Sequence, residues 1–299
     1  MPKRATPSEM LIRQQLRTLS RALPAAQDGD ANRLHEARVA TRRLRERLPL
    51  VLPGASRQRL LKKVRRLSRA LGRARELDVA LQTLDELTAG GDTPAAAVAK
   101  LRRLMGEERQ RIYSGMTAEI ARVNVDKLRR RAVAAARKHH DDGKSDPKRL
   151  LAGQERAARR AVRLRTAVDE AAGLYLPDRL HEVRIGVKKL RYSLELVREL
   201  RGSRAMARIN NLRQAQDLLG RMHDLEVLIG RVRAVQGSAG AASLRLSADL
   251  DRLVRRLETE CRQLHGHYMT QRKKLIAVCE HTLSAAESAR GGTRESPAA

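Results

Sequence analysis

Leu, Val, Ile and Ala recur at three- and four-residue steps along almost the whole chain, with charged side chains between them. That period is the period of an amphipathic helix. Pro, Gly and acidic clusters interrupt it at Pro24 to Asp30, Pro49 to Gly54, Gly90 to Pro94, Asp141 to Pro147, Pro177 and Gly237 to Gly240. Each interruption predicts a break between helices. The last periodic stretch runs from about Ala242 to Ala286, and beyond it Gly291 to Ala299 is small and polar, which predicts a disordered tail. No apolar run approaches the ~18 residues of a membrane-spanning helix. The first residues, MPKRATPSEM, lack the apolar stretch of a secretory signal. The pattern predicts an all-α chain.

The pattern also repeats. Residues 34–51 read LHEARVATRRLRERLPLV and residues 180–197 read LHEVRIGVKKLRYSLELV, with nine of eighteen positions identical. LGRARELDVAL at 71–81 matches LGRMHDLEVLI at 219–229 in the same order and at nearly the same offset. Two matched blocks predict a duplicated helical module. The expected organisation is a first helical repeat over residues 6–145, a second over 146–286, and a tail over 287–299.

Composition narrows the function. The chain of 299 residues has no Phe, no Trp and four Tyr, so its core is aliphatic and aromatic platforms for unstacked bases are nearly excluded. Lys and Arg number 63 against 34 Asp and Glu, a net charge of +29 at pH 7. A GC-rich genome alone produces Arg- and Ala-rich chains, so the distribution of charge must decide whether a polyanion is the partner. Cys261 and Cys279 fall on one predicted helix, ~27 Å apart, far beyond disulfide reach. A reducing cytoplasm is the expected compartment.

The charge is organised. On a wheel of 100° per residue, His35, Arg38, Arg42 and Arg45 share a face about 80° wide, flanking the apolar face of Leu34, Ala37, Thr41, Leu44 and Leu48. His181, Arg184, Lys188 and Arg191 take the same positions in the second block. Arg43 and Lys189 keep their charge across the repeats but lie off this stripe. The next helix carries Lys62, Arg65, Arg66, Arg69 and Arg73 over about 100°; its counterpart reads Asn210, Arg213, Gln214, Asp217 and Arg221. From residue 31 to 75, fifteen Lys and Arg face only Glu36 and Glu46. Like charges one turn apart cost ~0.2–0.5 kcal/mol per pair, so a face serving solubility alone would alternate signs. Such stripes suit an extended phosphate polymer, which Arg forks bidentately and Lys meets as a point charge.

Other chemistry finds less support. Neither phosphate-cradling glycine motif, G-x-x-x-x-G-K-[ST] or G-x-G-x-x-G, occurs. His35–Glu36 and His181–Glu182 begin like H-E-x-x-H, but Val39 and Ile185 stand where the second ligand belongs. Cys261 and His265 share a face, yet a closed zinc site needs about two further ligands. No metal or other cofactor is expected. Glu76 and Asp224, like Asp78 and Glu226, correspond across the repeats just after Leu-Gly, where a turn followed by helix-capping acids is expected.

LHEARVATRRLR (34–45), LGRARELDV (71–79), LHEVRIGVKKLRY (180–192) and LGRMHDLEV (219–227) resemble, in order, the four signature blocks of the conserved-histidine α-helical domain (CHAD) family. The resemblance covers about residues 6–285. It implies two helical-bundle halves with pseudo-two-fold symmetry and a basic central groove that binds inorganic polyphosphate. It also implies binding roles for His35, Arg38, Arg42, Arg43 and Arg45, and for His181, Arg184, Lys188, Lys189 and Arg191. His223 departs from the Asn common at its position in the family. The expectation is a stand-alone, non-catalytic polyphosphate binder, with attachment to polyphosphate granules as its implied use. Two rivals stay open: a nucleic-acid binder using phosphate contacts alone, and a metal-dependent phosphate-processing enzyme.

Overall fold

The computed structural model describes residues 7–52, 54–91, 93–138, 145–201, 205–238 and 244–291. Among the described residues there are nine α-helices and no strand: α1 (Pro7–Gln27), α2 (Ala31–Val51), α3 (Gly54–Ala89), α4 (Ala95–Val123), α5 (Val125–Lys138), α6 (Ser145–Glu170), α7 (Pro177–Arg201), α8 (Met206–Ser238) and α9 (Leu244–Gly291). They fall into two compact units, Met1–Ser145 and Asp146–Ala299. None of the helices is long and apolar enough to cross a membrane.

In the first unit α1 packs on α2 and α5, α2 on α3, and α3 on α4. The core is aliphatic, as the composition requires: Leu16, Leu19, Leu34, Leu44, Leu48, Leu67 and Leu71 are all buried together. Each buried Leu contributes ~1.5–3 kcal/mol relative to exposure. In the second unit α7 packs on α8 and α8 on α9. Leu164 of α6, Val183, Val187 and Leu190 of α7, and Tyr268 of α9 meet in its core. Helix α6 comes so close to α7 that a Cβ on Gly186 would lie 2.9 Å from Leu164 Cδ1.

Several predicted breaks move. Pro24 and Pro49 sit inside α1 and α2. Each lies near a helix end, where a missing N–H removes only one bond of the closing turn. The first true break is narrower, at Asp28 to Asp30, where Gly29 takes φ +98°, a left-handed conformation suited to glycine. The expected Leu-Gly turns do not exist. Leu71–Gly72 and Leu219–Gly220 are interior to α3 and α8, because the ~1 kcal/mol cost of a helical Gly is small against the packing of a long helix. One break escaped the sequence pattern: Asn124, at φ +49°, ends α4, and its Oδ1 accepts from the Lys127 N–H at 2.9 Å to cap α5. Helix α9 continues past the expected Ala286. The tail beyond it, most of the Asp141 to Pro147 break and part of the Gly237 to Gly240 break lie outside the described residues.

Candidate anion-binding site

Helix α2 is started by Asp30, whose carboxylate accepts from the N–H groups of Asn32 at 2.8 Å and Arg33 at 3.0 Å. That cap fixes the register in which Leu34, Ala37, Thr41, Leu44 and Leu48 turn inward, fully or almost fully buried. His35, Arg38, Arg42 and Arg45 follow on the flank. Arg38 reaches across to α3 and donates from Nη1 to the Gly72 carbonyl at 3.3 Å. Burial, then the charges of Arg75, Arg42 and Arg38, hold the His35 pKa below the ordinary imidazole value, with Glu36 pulling the other way. Arg75 on α3 therefore belongs to this group. The sequence reading missed it because it lies off the exposed α3 stripe, on the side that α2 covers.

Along α3, Lys62, Arg65, Arg69 and Arg73 are exposed. With Arg45, they make no ion pair among the described residues. Arg66 differs: Nη2 donates to Glu119 Oε1 at 3.1 Å, Nε donates to Oε2, and Arg122 holds the same carboxylate at 2.7 Å. Those two guanidinium groups hold the Glu119 pKa below the usual carboxylate range. A cleft of about 800 Å3 between α3 and α4 gathers Arg66, Arg69 and Arg73 with Arg111 and Arg122, against Glu108 and Glu119. Arg111 and Arg122 extend the positive face and were not foreseen; α4 lies outside the repeated blocks that directed attention. Arg43 lines the α1/α2 cleft together with Arg21, Arg33 and His35, and with Glu36.

The second unit holds its cations more tightly. His181 on α7 meets His223 on α8, Nδ1 to Nδ1 at 3.4 Å, over a pocket of about 250 Å3 that Arg184 also lines. Arg191 is nearly buried; Nη1 donates to Glu195 at 2.5 Å, Nε donates to Gln216 at 3.0 Å, and the guanidinium lies 4.5 Å from the Tyr192 ring centroid. Arg213 approaches the same Glu195 at 3.6 Å. Arg221 turns to α9 and pairs with Glu260 at 2.9 Å. Lys188 is half-buried and Lys189 exposed. The Lys189 carbonyl accepts from Arg160 of α6 at 2.7 Å.

The acids expected to cap helices do something else. Asp78 sits mid-helix, buried, and accepts from Arg109 Nε at 2.8 Å and from the Tyr113 hydroxyl at 2.6 Å. Burial and then this carboxylate push the Tyr113 pKa up to about 12. Glu226 takes the hydroxyl of Tyr175 in the same way. Both acids tie helices together. Among the described residues no group of three or more His, Cys, Asp or Glu side chains is placed to hold a metal ion. The geometry offers guanidinium forks, which can take the oxygens of multivalent anions.

The CHAD domain family model matches residues 10–233. Among solved structures, the CHAD domain from the plant Ricinus communis superposes with a TM-score of 0.61 at 21% identity, covering 89% of this chain and 96% of that one. PptA from Streptomyces chartreusis superposes with a TM-score of 0.59 at 15% identity, covering 94% and 98%. At these identities the likeness is one of fold. A search of curated proteins returns no match. With the family model spanning most of its length, the chain belongs to the CHAD domain family.

Proposed function

We propose that this protein binds inorganic polyphosphate, without catalysis, through the Arg-, Lys- and His-bearing faces of its helices. One observation carries the reading: Arg45, Lys62, Arg65, Arg69 and Arg73 stand on neighbouring helices of one unit with no acid paired to them among the described residues. Such a face is stabilised by an anion of high charge density. The family's association with polyphosphate supports the choice of ligand. So does the placement of the tyrosines: Tyr192 and Tyr268 are buried, and Tyr113 and Tyr175 are half-buried with their hydroxyls on Asp78 and Glu226. Tyr175 lines the pocket beside His181 and His223, and none of the other three lines the clefts named above, which leaves little platform for a base to stack on.

The reading includes an internal duplication, since His35 and His181, Arg45 and Arg191, and Asp78 and Glu226 recur at matching places along paired helices. It also includes a cytoplasmic location at polyphosphate granules. Calorimetric titration with long-chain polyphosphate, with duplex DNA and RNA as competitors, tests it. Preferential binding of polyphosphate is expected; equal or tighter binding of nucleic acid would sink it. Release of orthophosphate from the polymer on adding Mg2+ or Mn2+ would show an enzyme instead.

A further inference from the structure

The α1/α2 cleft of the first unit is polar in a different way from the basic stripes. It measures about 480 Å3, within the range of small-molecule sites. Two of its lining groups carry unmet hydrogen bonds. Gln15 of α1 is only 3% exposed, and its amide has no hydrogen-bond partner among the described residues. The little exposure it keeps is to this cleft. Arg43 of α2 has a buried Nε with no acceptor, and no acid pairs with its guanidinium among the described residues. A buried polar group without a partner costs free energy, so both positions mark places that a bound molecule would complete. The helix patterns put them there. Ile12, Leu16 and Leu19 fill the core side of α1, as Leu34, Ala37 and Leu44 do for α2. Gln15 and Arg43 are left at the seam where the two helices meet.

We propose that this cleft binds a small phosphate monoester with a hydroxylated body, a molecule of the sugar-phosphate class. The Gln15 amide decides the body. It presents two N–H donors and a carbonyl acceptor, whereas a fully ionised phosphate chain carries acceptors only. A hydroxyl both donates and accepts. Thr18 and Glu36, also in the lining, call for the same group. Thr18 Oγ1 already donates to the Gln14 carbonyl at 3.1 Å, so it meets a ligand as an acceptor. The Glu36 carboxylate accepts as well, and it repels a second phosphate. Glu36 also holds Arg33 at 2.9 Å, which leaves Arg43 and Arg21 as the guanidinium forks for one phosphate. Val39 and Ala40 give the cleft an apolar wall for the carbon face of a sugar. The one ring in the lining is the His35 imidazole, and no tyrosine is there to hold a base. This assignment stands apart from the polyphosphate reading, which rests on the exposed cations of α2 and α3.

Calorimetric titration of the full chain with glucose 6-phosphate, ribose 5-phosphate and glycerol 3-phosphate, each against inorganic phosphate at equal ionic strength, tests it. At least one ester should bind about tenfold more tightly than inorganic phosphate, the worth of one or two added hydrogen bonds. Gln15→Leu should erase that preference and change the binding of inorganic phosphate by less than about twofold. It should also raise the melting temperature of the ligand-free protein, because an apolar side chain of similar size removes an unpaired amide from the interior. Thr18→Val should narrow the preference, and Arg43→Met should weaken esters and inorganic phosphate alike, with far-UV circular dichroism confirming that each variant stays helical. Three esters that bind no more tightly than inorganic phosphate would overturn the proposal. So would a preference that survives Gln15→Leu or, should that variant fail to fold, one that Thr18→Val leaves undiminished. Ester preference in a chain that does not bind long-chain polyphosphate would sustain this site and remove the polyphosphate reading, so the two fail separately.

Discussion

His35 is the side chain through which pH would couple to the proposed binding. Its pKa is depressed by burial and by Arg75, Arg42 and Arg38. The folded, ligand-free protein therefore favours the neutral ring. The stability this contributes is present above the ordinary value near 6.5 and is lost as pH falls through the lower folded value. A bound polyanion reverses the local field and favours the charged ring. Polyphosphate affinity should rise as pH falls below about 6.5, with proton uptake on binding, and His35→Gln should flatten that rise. Calorimetry in buffers of differing ionisation enthalpy measures the uptake; none at pH 6 would discard this role for His35. Glu195 acts in the opposite sense. It occupies Arg191 and approaches Arg213, whereas the matching position of the first block is Pro49, and Arg45 has no acid paired to it among the described residues. Glu195→Gln keeps a hydrogen-bond acceptor and removes the charge, and should raise polyphosphate affinity about two- to fivefold. An unchanged affinity would mean that these two arginines do not reach the ligand.

Helices carry these residues, and their packing is as demanding as their charge. At Gly186 a Cβ would meet Leu164 at 2.9 Å, and Leu164 is fully buried with little room to yield. Gly186→Val should lower stability by about 1–3 kcal/mol through overpacking, read as a shift in the urea midpoint with unchanged slope. A neutral result would show that α6 retreats from α7 easily. The element pattern was largely legible in the sequence, because apolar steps of three and four directly encode which faces are buried: Leu34, Leu44 and Leu48 went inward as their spacing required. Punctuation was read less well. Gly72 and Gly220 looked like turns, yet the packing of α3 and α8 overrides a local preference of about 1 kcal/mol. Asn124 did not look like a break, because left-handed backbone at an Asn leaves no mark on hydrophobic periodicity. The stripes were legible for the same reason as the core. Their partners were not: Arg75, Arg111 and Arg122 join them only once helices pack, and Glu195 and Glu260 subtract from them only through contacts that no wheel contains.

At the scale of the molecule, the two units differ in how much charge they leave available. Arg45 and Arg69 have no acid paired to them among the described residues, whereas Arg191 and Arg213 both face Glu195. Reversing Arg42, Arg45 and Arg69 to Glu should therefore weaken polyphosphate binding more than reversing Lys188, Arg191 and Arg213, with circular dichroism confirming that both variants stay helical. Equal or greater loss in the second variant would show that charge availability is the wrong guide to where the polymer lies. Binding by the native chain should also weaken steeply with added salt, as released counter-ions require, and the first variant should show the shallower salt slope. An affinity flat between low and moderate salt would contradict a polyelectrolyte contact. One architectural feature reaches beyond binding. Within each unit the main helix partners are close along the chain, α1 with α2, α2 with α3, α3 with α4, and then α7 with α8 and α8 with α9. Contacts between consecutive helices close short loops, so little entropy must be spent before packing begins. The first unit has what it needs to collapse from its own hairpins in milliseconds or less, well before a ribosome adding about 5–20 residues per second has completed the second. A chain this basic thus hides its apolar stripes early in its own synthesis.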